Sequence, residues 1–144
     1  MTSTDAWLVA QGRVLASATV AETRAQRRRG MLGQQQPEFA LVLANCRWVH
    51  TIGMQCELDI AYLDDESRIV KLQRLRPMRL PLPVLAARKV VEARAGSFDR
   101  WGVRVGDIVE VRRVSGAPVT SRRASDAPSA PRRASDAPSE GRRA

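Results

Sequence analysis

The chain has 144 residues, with 24 Lys and Arg against 15 Asp and Glu for a formal net charge of +9; 44% of it is hydrophobic and 4% aromatic. This is enough chain for one domain with an aliphatic core, and no run approaches the ~18 consecutive apolar residues that a membrane-spanning helix needs. Two cysteines exclude a disulfide-dense scaffold and a four-thiolate zinc site.

The first residues, Met1 to Trp7, carry neither a basic n-region nor an apolar h-region, so the chain reads as cytoplasmic. Val14–Val20 is rich in β-branched and small residues and predicts a strand, paired with Trp7–Ala10 across Gln11-Gly12. Thr23-Arg24-Ala25-Gln26 is a capping-box pattern that opens a short helix ending near Gly30 or Gly33. Phe39–Leu43 and Trp48–Thr51 are strand candidates. Leu58–Leu63, the turn Asp64-Asp65-Glu66-Ser67 and Arg68–Leu75 form a predicted hairpin. Pro77, Pro81 and Pro83 make 76–86 a surface loop. Lys89–Arg94 is a strand. Ser97 is expected to cap one helical turn through Trp101, before a last strand at Ile108–Val114 in which Val109 and Val111 alternate with Glu110 and Arg112.

After Val114 the composition changes. Residues 115–144 hold Val119 as their one large apolar side chain, and two copies of Arg-Arg-Ala-Ser-Asp-Ala-Pro-Ser begin at Arg122 and Arg132. Such a segment buries too little apolar area to offset ordering its backbone, so a disordered tail is expected beyond a folded part at 1–114. Six Arg against Asp126, Asp136 and Glu140 give the tail +3 of the +9 and leave +6 on the folded part. The Arg-Arg-Ala-Ser repeats at Ser125 and Ser135 fit a basophilic kinase site, although a solubilising or loosely tethering tail is the favoured reading. In all, about seven strands, one short N-terminal helix and a single helical turn before the last strand predict a mainly β (α+β) fold, either a compact β-sandwich or a partly open barrel.

Gly30-Met31-Leu32, Cys46-Arg47-Trp48-Val49-His50-Thr51-Ile52-Gly53-Met54, Leu58-Asp59-Ile60-Ala61-Tyr62-Leu63-Asp64, Val91–Gly96 and Gly102–Asp107 follow one another in an order and spacing that resembles the prokaryotic family catalogued as domain of unknown function 192. The similarity runs from about Val20 to Val111. Many relatives carry Phe-Trp-Met-Lys-Asn-Thr where this chain has Val49–Met54, which looks like a branch with a His-Thr-x-x-Met block; Glu57 stands where a Pro is usual. The resemblance implies a small, mainly β fold and implies no reaction.

His50 is the one histidine, with a ring suited to general-base work, and Asp59 could orient it. No serine stands beside this block, and the competing reading makes His50, Thr51 and Asp59 a buried polar network. Cys46, His50 and Cys56, with Asp59 or Glu57 as a fourth ligand, could hold a metal, but their spacing matches no finger or ribbon, and buried thiols explain them as well. Thr51, Met54, Arg76, Arg79 and Glu92 are the binding candidates. Arg24, Arg27, Arg28 and Arg29, with Arg74, Arg76 and Arg79, raise nucleic acid. Against that, 22 of the 24 basic residues are Arg, as a GC-rich genome would produce, and the aromatics form no stacking platform. The sequence therefore favours a non-enzymatic accessory module that binds a protein partner through the 76–86 loop or a sheet surface. The alternatives are a small enzyme or metal protein and an Arg-driven nucleic-acid binder. No cofactor and no membrane association are expected.

Overall fold

The computed structural model describes residues 4–23 and 39–114. The expected capping-box helix with its four arginines, the Gly30-Met31-Leu32 block and the 115–144 tail lie outside the described residues.

Seven strands form one mixed sheet: β1 (Thr4–Ala10), β2 (Arg13–Ala21), β3 (Phe39–Ala44), β4 (Leu58–Leu63), β5 (Ile69–Leu75), β6 (Lys89–Arg94) and β7 (Glu110–Arg113), in the order β5-β4-β6-β3-β2-β1-β7. Every neighbouring pair is antiparallel except β2 and β3. The β1–β2 hairpin turns at Gln11 and Gly12, both at positive φ (50° and 72°), the conformation that a tight two-residue connection needs. The β4–β5 turn is held by Asp64, whose Oδ1 accepts from the amides of Glu66 (3.0 Å) and Arg68 (2.9 Å).

The fold is the expected mainly β one, in the open, barrel-like form. Among the described residues no second sheet stacks on the first, and β5 and β7 do not pair. The segments leading into them do meet: Ile69 N donates to Asp107 O (2.8 Å), Gly106 N to Ile69 O (2.8 Å) and Val109 N to Ser67 O (2.9 Å). These bonds bring the two edges of the sheet together at one end. The last strand is shorter than expected because Ile108 is used in an isolated bridge to Arg68.

Side chains alternate between the two faces of each strand, and both faces are covered. On the first face Leu8, Val20, Val42, Leu63 and Val91 pack with many alanines and with Phe98 from α1 (Ser97–Trp101). On the second, Leu41, Leu43, Leu58, Ile60, Tyr62 and Val90 lie with Val49, Met54 and Ala87, from the loops flanking β4 and β6. β4 is buried along its whole length, as a strand covered on both sides must be.

Two local expectations are corrected. Trp48–Thr51 is no strand: the backbone of Thr51 is spent on the proline loop, its amide donating to Arg79 O (3.0 Å) and its carbonyl accepting from Met78 N (2.9 Å), and no ladder forms. Ser97 does not cap α1 either. The cap is Gly96, whose φ of 92° suits a residue without a side chain, and Ser97 instead accepts from Arg100 through Oγ (3.1 Å).

Candidate functional site

Asp59 is the second residue of buried β4, with its side chain on the first face. Its Oδ2 accepts from the amides of Gly96 (2.9 Å) and Phe98 (3.1 Å), and its Oδ1 takes Nε of Arg74 (2.8 Å). The carboxylate thus supplies the cap that α1 lacks in its own sequence, satisfying amides left over at a helical N-terminus. Arg74 spans outward to Asp99 (3.1 Å). Its guanidinium is held well above its usual pKa, first by the hydrogen bonds it donates to Asp59 and Asp99 and then by their charge, so it stays protonated.

This arrangement corrects the expectation that Asp59 orients His50. The loop carrying His50 packs through Val49, Met54, Cys46 and Cys56 against Leu58, Ile60 and Tyr62, the side chains on the opposite face of β4 from Asp59. The His50 ring lies instead against Trp48, centroids 5.7 Å apart, and its Nδ1 is buried without a hydrogen-bond partner among the described residues. The metal trio is corrected as well. Among the described residues no three His, Cys, Asp or Glu side chains come together to hold an ion; Cys46 and Cys56 are not joined in a disulfide, and Cys46 donates to the carbonyl of Trp48 (3.1 Å).

Thr51 is fully buried and joins two loops. Its Oγ1 donates to Arg76 O (2.6 Å) and accepts from Arg79 N (2.8 Å), its amide donates to Arg79 O, and its carbonyl receives the amides of Met54 (3.1 Å) and Met78 (2.9 Å). Two further contacts extend the seam: Trp48 Nε1 donates to Pro81 O (2.6 Å), and Val84 N to Arg47 O (2.8 Å). Residues 46–54 and 76–88 are therefore one stitched double loop. Prolines limit its backbone freedom further.

What this platform presents is apolar. Trp48, Ile52, Met78, Leu80, Leu82 and Leu85 are between 41% and 83% exposed. The structure brings all six onto the one double loop. Arg47, Arg76, Arg79 and Arg88 are exposed among them, with Arg76 paired to Glu57 at 3.6 Å. Of the sequence-derived binding residues, Arg76 and Arg79 therefore stand at the surface. Thr51, Met54 and Glu92 are buried and serve the platform or the core. Arg74, engaged by two aspartates, is separated in role from Arg76 and Arg79. The sequence pointed to the proline loop but not to Trp48 and Ile52, whose joining to it depends on the Thr51 bonds; alternation of Leu with Pro over residues 80–83 was the available signal.

Tyr62 lies beneath this region, fully buried, with a hydroxyl that has no partner among the described residues. Burial, then the nearby charges of Cys46 and Glu92, push its pKa up from 10.0 to about 12.

A model of the family described as Uncharacterized ACR, domain of unknown function 192, matches residues 7–111. A UPF0127 protein of Thermococcus sibiricus is 28% identical over 97 residues, 63% of this chain and 63% of that protein. One from Pyrococcus abyssi is 37% identical over 62 residues, 43% of this chain and 53% of that protein. The chain thus spans less than two thirds of the length of these curated relatives. Among solved structures, a protein of unknown function from Novosphingobium aromaticivorans matches with a TM-score of 0.61 and 18% identity over 74% of this chain and 83% of that one. A putative transcription regulator from Sinorhizobium meliloti matches with a TM-score of 0.62 and 22% identity over 76% and 94%. At these identities the two structures show a shared fold.

Proposed function

The chain belongs to that family, and on this premise we propose that it is an interaction module that docks a protein partner on the stitched double loop of residues 46–54 and 76–88. The observation that carries the reading is the ridge of Trp48, Ile52, Met78, Leu80, Leu82 and Leu85, large apolar side chains held out to solvent on a loop pair braced by a fully buried threonine. Large apolar side chains gathered on one braced loop pair are costly to leave in water, and exposed apolar surface of this kind marks interaction sites. Bracing the loops in advance reduces the ordering entropy that binding must overcome. The arginines among the apolar side chains suit a partner whose apolar patch is bordered by carboxylates. No catalytic role is needed for Asp59, whose oxygens are occupied by α1 and Arg74. Two cysteines that form no disulfide fit a reducing compartment, in keeping with a cytoplasmic module.

The test is a photo-reactive side chain placed at position 82 and activated in cells. The reading expects one discrete protein adduct, lost when Leu80 and Leu85 are changed to Ser. Adducts with lipid alone, or an unselective smear that the serine changes leave intact, would refute it.

A further inference from the structure

We propose that the cleft between the β1–β2 hairpin and the C-terminal end of α1 binds a mononucleotide, with the base against Trp7 and Trp101 and the phosphate at Arg100. The cleft has a volume of about 450 Å³, within the ~300–1,000 Å³ of small-molecule sites. Leu15, Ala16 and Ser17 also line it, so residues of β2 share its wall with the two tryptophans. Trp7 is 47% exposed and belongs to neither core. Trp101 is fixed in place, with its ring tilted on Phe98 at 5.5 Å and its carbonyl held by Arg13 Nη2 at 3.2 Å. The sequence separates the two indoles widely, and only the packing of α1 against the hairpin end brings them to one cleft.

The charge of the cleft selects the ligand. Arg100 is the one charged residue lining it. Its guanidinium donates to the neutral Ser97 hydroxyl (3.1 Å), and among the described residues it forms no ion pair. The lining contains no carboxylate, which disfavours a cation in an aromatic cage and favours a planar ring carrying an anionic group. A nucleobase stacks on indole irrespective of its identity, and guanidinium matches phosphate geometry. This site uses no residue of the apolar ridge, so it stands or falls separately from the docking reading.

The test is calorimetric titration of the full chain with AMP, with adenosine, inorganic phosphate and a short single-stranded oligonucleotide titrated in parallel. The expected result is saturable AMP binding that quenches tryptophan emission, weaker binding of adenosine, and none of phosphate alone. Trp7→Ala should weaken AMP by about tenfold or more, and Arg100→Gln should reduce AMP to the level of adenosine while leaving adenosine unchanged. Both residues are at the surface, and circular dichroism melting of each variant verifies the fold. AMP binding that is absent at millimolar concentration, or equally strong in a folded Trp7→Ala variant, overturns the proposal. Binding of the oligonucleotide without binding of AMP overturns it too, in favour of a strand-binding surface.

Discussion

Asp59 accepts the amide hydrogen of Phe98 at 3.1 Å across 39 residues of sequence, so that one carboxylate on β4 fixes a helical turn whose N-cap, Gly96, has no side chain to hold it. The residue that in sequence could have oriented His50 is thereby a structural anchor. Replacing it with Leu leaves the Gly96 and Phe98 amides without their acceptor, a loss of ~1–3 kcal/mol for buried partners left unsatisfied. Urea denaturation should show a lower midpoint; an unchanged melting temperature would contradict the assignment.

Thr51→Val keeps the volume of the side chain but removes the hydroxyl that both donates to Arg76 O and accepts from Arg79 N. The expected effect is again ~1–3 kcal/mol, accompanied by faster hydrogen exchange at the Arg79 amide. Thr51→Ser, which keeps the oxygen, should restore slow exchange.

Leu82→Ser should behave oppositely. The side chain is on the ridge and exposed, so stability should move by no more than ~0.5 kcal/mol while partner capture is lost. A large drop in melting temperature would mean that the ridge is part of the core rather than a docking surface.

Tyr62 is the one tyrosine of the chain, so absorbance at alkaline pH reads it alone. The folded protein should titrate near 12, against about 10 for the chain in urea. Between those values the folded state keeps a proton that the unfolded chain has released, so stability falls as pH rises. The loss is ~1.4 kcal/mol for each pH unit at most; the contribution is intact below about pH 10 and gone above about pH 12. Tyr62→Phe should abolish this alkaline loss, and at pH 7 should leave stability unchanged or raised, because the hydroxyl has no partner among the described residues.

The strands were legible where their signals are local. Gln11-Gly12 marked the first hairpin and Asp64–Ser67 the second, because turn chemistry is written in consecutive residues. The alternation of Val109 and Val111 with Glu110 and Arg112 marked the last strand for the same reason. Trp48–Thr51 misled because β-forming side chains say nothing of whether a neighbouring strand is within reach; here the neighbour is a proline loop. The role of Asp59 could not be read at all. Its partners Arg74, Gly96 and Phe98 are set by the β4–β5 register and by the placement of α1, and an acid flanked by Leu58 and Ile60 looks the same in sequence whether it performs chemistry or caps a helix. The proline loop could be read as exposed, but the Trp48 and Ile52 half of the ridge could not, since only the Thr51 seam places it there.

The position of β1 between β2 and β7 has a consequence for biosynthesis. β1 is the first of these strands to be made and β7 the last, so one long edge of β1 waits, with its backbone groups unsatisfied, while the strands between them are translated. Such an edge is a template for pairing with other chains, and the nascent protein should be most prone to aggregate in the interval before Glu110–Arg113 is available. Chains truncated before residue 110 are accordingly expected to accumulate as insoluble material, even though all of the first core apart from the last strand's flank has by then been synthesised.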